Sequence, residues 1–379
     1  MRDISIDLFS TELKKVELHP NFKVLIEDEI PFLRREIEKW ATGFLDRDNK
    51  FIREFQTTFN SSFWELYLFA VFKELGLKVN FSYDRPDFNI EGENDFCIEA
   101  TVALNANGMT PEWERKYSKE EIEEWLEGKI EENATIRLAN AFVGKSKKYE
   151  SYNKLEHVKD KPFLIAIAPF DSPYFFTQNT QPIFRVLYGF DRYIAIDWDE
   201  YDREIIDGVL IEEIEKSNGA KIPLGYFTKP DYSHVSAVIF SKTATVGKAR
   251  ILSDDPRVTV VSYDKYNDFG TQPISGLAEK TTYQEDLTDG LMIFHNPYAK
   301  NPIAKEVFKD KNIAQYTYNI KTGEVIGEVP HQFLFNRSVI VYQTERYSKN
   351  QLRKFRESII RQIRLGEFES EQVFPKFHS

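Results

Sequence analysis

Apolar residues recur at helical spacing over residues 21–45, where Leu25, Ile26, Ile30, Leu33 and Ile37 would share one face. A second helix is expected over Ser62–Leu75, closed by Gly76 as the residue past its C-cap. The period then changes. "LKVNFSY" (77–83), "DFNI" (87–90) and "FCIEATV" (96–102) read as strands, and "EGEND" (91–95) carries turn chemistry. Residues 118–149 form a long helix candidate, opened by Ser118 and Glu121 in a capping-box pattern. "PFLIAIAPF" (162–170) is a continuous apolar run bounded by prolines, as expected of a strand buried on both faces. Beyond residue 172 the chain offers many short β-like stretches, "VSAVIFS", "RVTVVSY" and "SVIVYQTE" among them, and a last helix over 348–364.

This order predicts an α/β (α+β) protein with a central mixed sheet flanked by helices. The organisation expected is an N-terminal helical segment (1–59), a core (60–172), a β-rich elaboration of that core or satellite subdomain (173–345), and an amphipathic helix with its tail (346–379). The 379 residues and 41% hydrophobic content suffice for a large buried core. No apolar run reaches membrane-spanning length, and "MRDISIDLFSTELKK" lacks the apolar stretch of a signal peptide. Cys97 is the only cysteine, which excludes intrachain disulfides and thiolate zinc clusters. A cytoplasmic protein without a membrane partner is expected.

The strands at 87–102 carry an anomaly. In "FCIEATV", Phe96, Ile98, Ala100 and Val102 point one way and Cys97, Glu99 and Thr101 the other. A hairpin would bring Asp87, at the start of one strand, beside Glu99 on the next. Two neighbouring carboxylates repel unless something neutralises them, and a divalent cation is the usual remedy. Read alone, Asp87 could equally cap a turn and Glu99 face solvent. Glu65 adds a third acid: Leu68, Phe69 and Phe72 place it on an apolar stripe, and with Ser62 it also fits a capping box. A net charge of −11 argues against coating nucleic acid at large, but it suits a cation site and permits a local basic groove.

A helix Glu, then Pro86-Asp87, eleven intervening residues and Glu99-Ala100-Thr101 resembles the PD-(D/E)XK nuclease superfamily. The resemblance covers about residues 60–170. It implies a helix, a three-stranded meander, a second helix and a fourth strand. It also implies hydrolysis of phosphodiesters, in DNA more than in RNA, with Mg2+ or Mn2+ held by Glu65, Asp87 and Glu99. Restriction, repair or antiphage defence would suit such an enzyme. The chain departs from the pattern at Thr101, where the family usually carries a lysine that positions water and stabilises charge on the phosphate. The helix end "AFVGKSKKYESY" puts Lys145 four residues before Tyr149, similar to the QxxxY motif of RecB-like members, so Lys145 is expected to supply the missing charge toward Glu99.

Lys147, Lys148 and Tyr149 belong to a stretch with six lysines between 145 and 161, interleaved with tyrosines, as a phosphate-tracking patch would be. In 350–364, Leu352, Phe355, Ile359, Ile360 and Ile363 form an apolar face. That face would pack on the body of the protein or on a second copy in a homodimer. The opposite basic face offers a second nucleic-acid contact. His295 lies in a Pro- and Asn-rich segment expected to be an ordered loop. Two rivals stand beside the nuclease: an inactive module of the same fold that holds nucleic acid or a protein, favoured by Thr101, and a glycosidase using Asp87 and Glu99 as its acid pair.

Overall fold

The computed structural model describes residues 6–368 apart from 28–30, 104–117, 119–129, 171–174, 176–177, 199–202, 217, 269–271, 311 and 345. The expectations that fall on 119–129, Glu121 among them, lie outside the described residues. The single helix expected over 21–45 is two, α1 (Pro20–Glu27) and α2 (Phe32–Ala41). Pro31 sits at the N-cap of α2, where a ring without an N–H can begin a helix but not continue one. After α3 (Phe51–Thr57) comes α4 (Phe59–Glu74), apolar around nearly its whole circumference and buried accordingly. Gly76 adopts φ +70° past its end. There the Gly76 N–H reaches Lys73 O (3.1 Å) and the Leu77 N–H reaches Phe72 O (2.8 Å), so two terminal carbonyls find donors. Helix α4 begins one turn earlier than its pattern suggested. Ser62 is therefore buried inside the helix, and the capping box with Glu65 does not form.

The strand expected over 77–83 shrinks to β1 (Lys78–Val79), because only those residues pair with β2 (Phe88–Glu91). Strand β3 (Phe96–Val102) follows, then α5 (Ile130–Ser146), the short α6 (Tyr149–Tyr152) and β4 (Phe163–Ala168), all six residues of which are buried. Then come α7 (Gln181–Tyr188), β5 (Phe190–Trp198), β6 (Glu204–Leu210), a small hairpin of β7 (Glu213–Glu215) and β8 (Lys221–Pro223), β9 (Ala237–Phe240) and α8 (Val246–Leu252). The chain closes with β10 (Thr259–Lys265), β11 (Ile274–Glu279), β12 (Leu291–His295), β13 (Ile313–Tyr318), β14 (Val325–Glu328), β15 (Leu334–Val341) and α9 (Lys349–Leu365).

Ten strands make one mixed sheet in the order β1-β2-β3-β4-β9-β12-β13-β14-β6-β5. β1, β2 and β3 are antiparallel, whereas β3, β4 and β9 run parallel. The fold is α/β. On one face of the sheet, α1 to α4 and α8 pack over Phe88, Ile98, Ala100, Leu164 and Ile239. On the other, α5 and α7 pack over Cys97, Ile165, Ile167, Val238 and Phe294. A separate sheet, β11-β10-β15, carries α9 over Val258 and Val260. No helix among the described residues is long and apolar enough to cross a membrane. His295, expected in a loop, ends β12 instead. It is buried, its Nε2 lies 2.8 Å from Gln315 Oε1, and burial lowers its pKa to about 4, so it is a neutral core histidine.

Candidate active site

The β2–β3 register fixes the acids. Phe88 pairs with Ile98, so one step further along Asp87 stands beside Glu99. Asp87 Oδ2 accepts the Ala100 N–H at 2.7 Å, which ties its carboxyl to the β3 backbone. The backbone before it is held by Arg47, whose guanidinium donates to the carbonyls of Tyr83 and Asp87, the latter at 3.1 Å. On the other flank His157 stacks on Tyr83 (3.8 Å) and lies 2.8 Å from Arg85 O.

Glu99 points toward α5 and α6 and is 1% exposed. A buried carboxylate needs partners, and it has three. Lys145 Nζ and Lys148 Nζ each donate to Oε1 at 2.7 Å, and Tyr152 Oη donates to Oε2 at 3.1 Å. Burial opposes the charge on Lys148, but the hydrogen bond and charge of Glu99 outweigh it and raise its pKa above the usual ammonium range. Burial, then Glu99, pushes Tyr152 up to about 12, so it donates at neutral pH.

The other two acids have no ion pair among the described residues. Burial and then Glu99 raise Asp87 to about 6. Burial and then Asp87 raise Glu65 to about 8. Glu65 is half-buried on α4 and has neither hydrogen bond nor ion pair among the described residues. Among those residues no three acidic, histidine or cysteine side chains gather closely enough to form a ready-made metal cage. Glu99 is engaged by lysines; its charge raises Asp87, and the charge of Asp87 in turn raises Glu65.

The lysine run divides. Lys145 reaches Glu99 from the last turn of α5, and Lys148 joins it from the turn that follows. Lys147 is exposed. Lys145 and Tyr149 do not share a helix face, because α5 ends at Ser146 and the chain re-enters a helix at Tyr149. Tyr149 packs its ring against Phe163 and His234, each at 5.2 Å. Tyr152, four residues after Lys148, is the tyrosine at the acid. The sequence holds both pairs, and only the break after Ser146 decides between them.

Because folding raises both pKa values, the folded state binds more protons between the ordinary carboxyl pKa and the raised one. Stability from Asp87 and Glu65 is full below pH about 4 and falls as pH rises through about 6 and then about 8. Metal-free protein should therefore melt at progressively lower temperature across that window. Glu65→Gln should flatten the upper part, and an unchanged melting profile in that variant would show that Glu65 does not titrate there.

No family model, curated protein or solved structure matches the chain.

Proposed function

We propose that the chain is a divalent-cation-dependent phosphodiesterase of the PD-(D/E)XK type, acting on DNA rather than RNA in the cytoplasm. The observation that carries the reading is the pair of ammonium groups on Glu99, beside Asp87. The motif lysine that Thr101 replaces has its charge supplied here from α5 and the turn after it. The element order supports the same reading: α4, the β1–β2–β3 meander, α5 and then parallel β4.

The donor set suits Mg2+ or Mn2+. Asp87 and Glu65 offer hard carboxylate oxygens with no ion pair among the described residues, and Mg2+ favours one or two carboxylates completed by water and phosphate oxygens. Such an ion would bind the scissile phosphate and lower the pKa of the attacking water. The protein's own residues do the rest. Lys145, with its side chain 23% exposed, and Lys148, 46% exposed, present fixed positive charge to the phosphate. Glu99 holds both lysines in place, and Tyr152 fixes the carboxylate that holds them.

The test is cleavage of duplex and single-stranded DNA with Mg2+ or Mn2+, stopped by EDTA. Lys145→Ala should lower the rate about 10²-fold or more, the scale of losing one preorganised charge. Lys148→Ala should act in the same direction. Lys147→Ala should chiefly weaken binding and flatten its salt dependence. Equal, mild effects from Lys145 and Lys147 would reduce the lysines to a basic surface. The second reading, a binding module without turnover, draws on the complete satisfaction of Glu99 by protein groups. Absence of a metal-dependent rise in melting temperature, with DNA still bound, would select it.

A further inference from the structure

Helix α9 has two faces, and only one is used by the fold. Leu352, Phe355, Ile359 and Ile363 lie against Val258, Val260, Ile340 and Tyr342 of the smaller sheet. Arg356 also turns inward, donating to Glu279 Oε1 (3.0 Å) and Pro256 O (2.7 Å). The outer face presents Lys349, Arg353, Lys354, Arg361 and Arg364, all exposed.

Residues 346–364 hold seven Arg and Lys against one acid, Glu357, in a chain of net charge −11. Glu357 lies 3.9 Å from Arg353, a long contact between two exposed groups that neutralises little. Lys349, Lys354, Arg361 and Arg364 have no ion pair among the described residues. At about 1.5 Å per residue, Lys349 to Arg364 spans roughly 22 Å, with Lys349, Arg353 and Lys354 toward one end, Arg361 and Arg364 toward the other, and Glu357 between them. Both ends of the helix are capped. Ser348 and Gln351 form a capping box at one end, and Gly366 closes the other.

We propose that this outer face is a second nucleic-acid contact, which grips the phosphate backbone of duplex DNA without reading its sequence. Guanidinium groups match phosphate geometry, and a single-sign face on an acidic protein is complementary to a polyanion. An anionic membrane fits less well. A basic amphipathic helix binds lipid by burying its apolar side, and that side is already taken by the sheet. The inference rests on nucleic acid as the ligand class, but not on cleavage.

The experiment is equilibrium binding of a fluorescent duplex DNA across a salt series. It uses full-length protein carrying Asp87→Asn, so that no substrate is cut. Adding Arg353→Ala, Arg361→Ala and Arg364→Ala should weaken binding at low salt about tenfold or more. It should also lower the slope of log K against log salt by about 3, near 0.9 for each phosphate that is no longer neutralised. Removing two exposed charges elsewhere, Lys309→Ala and Lys321→Ala, should leave the slope unchanged. An unaltered slope in the triple variant, or an equal fall in the control, would overturn the proposal. So would loss of binding to phosphatidylserine vesicles without loss of DNA binding. DNA that binds through this face while the Asp87-bearing parent fails to cleave would overturn the nuclease reading and leave this one standing.

Discussion

Asp87→Asn and Glu99→Gln should each abolish metal-dependent cleavage, by about 10³-fold or more, yet they should part company in stability. Asparagine keeps an oxygen for the Ala100 N–H and removes the charge that raises Glu65. Its melting temperature should hold or rise, because a like charge has left a partly buried pair of acids. Glutamine at 99 leaves two ammonium groups that met at one carboxylate oxygen with no anion between them. That variant should melt lower, and Lys148 should lose the cause of its raised pKa. Cleavage surviving in both variants would end the proposed chemistry. Equal melting temperatures would show that the lysines do not depend on Glu99 for their placement.

A larger effect on stability is expected far from the acids. Lys248 in α8, Arg337 in β15 and Glu285 form a cluster with side chains at most 1% exposed, with Glu285 at 2.7 Å from Lys248 and 3.2 Å from Arg337. Burial opposes ionisation of Glu285, but the charges of Arg337 and Lys248 hold its pKa below the ordinary range. Arg337 also donates to Thr243 O at 2.6 Å, just past β9, so the cluster links the small sheet to the large one. Glu285→Ala leaves two buried cations without their anion and should cost about 3–5 kcal/mol in urea unfolding. Replacing the three together by Met and Leu should cost far less, since no charge is then left alone. Similar losses from both would mean that packing volume, not charge, governs this junction.

The pairing of Asp87 with Glu99 was legible because a strand's period of two and the turn at 91–95 fix which residues face each other. Lys145 was named from its spacing to Tyr149, yet its contact with Glu99 does not depend on that spacing, because the helix breaks between the two. Tyr152 was not legible, because choosing between two pairs of identical spacing depends on where α5 stops. Pro31 was visible in the sequence, yet the apolar periodicity ran through it and hid the break between α1 and α2. The ten-stranded sheet was hardest to see. β9 is a four-residue strand whose partner β4 lies about seventy residues earlier, and nothing local in either segment specifies the other.

That pairing decides what kind of unit carries the acids. β4 is an interior strand, with β3 on one side and β9 on the other. Trp64 Nε1 donates to its Ala166 O at 3.2 Å, and the Phe163 N–H donates to Ser236 Oγ at 3.0 Å. The acid-bearing segment is therefore no portable cassette. A chain cut after β4 would expose a fully apolar strand edge, the kind of surface that seeks another chain. A chain ending after β4 should therefore associate through that edge rather than carry the acids at 87 and 99 as an independent domain.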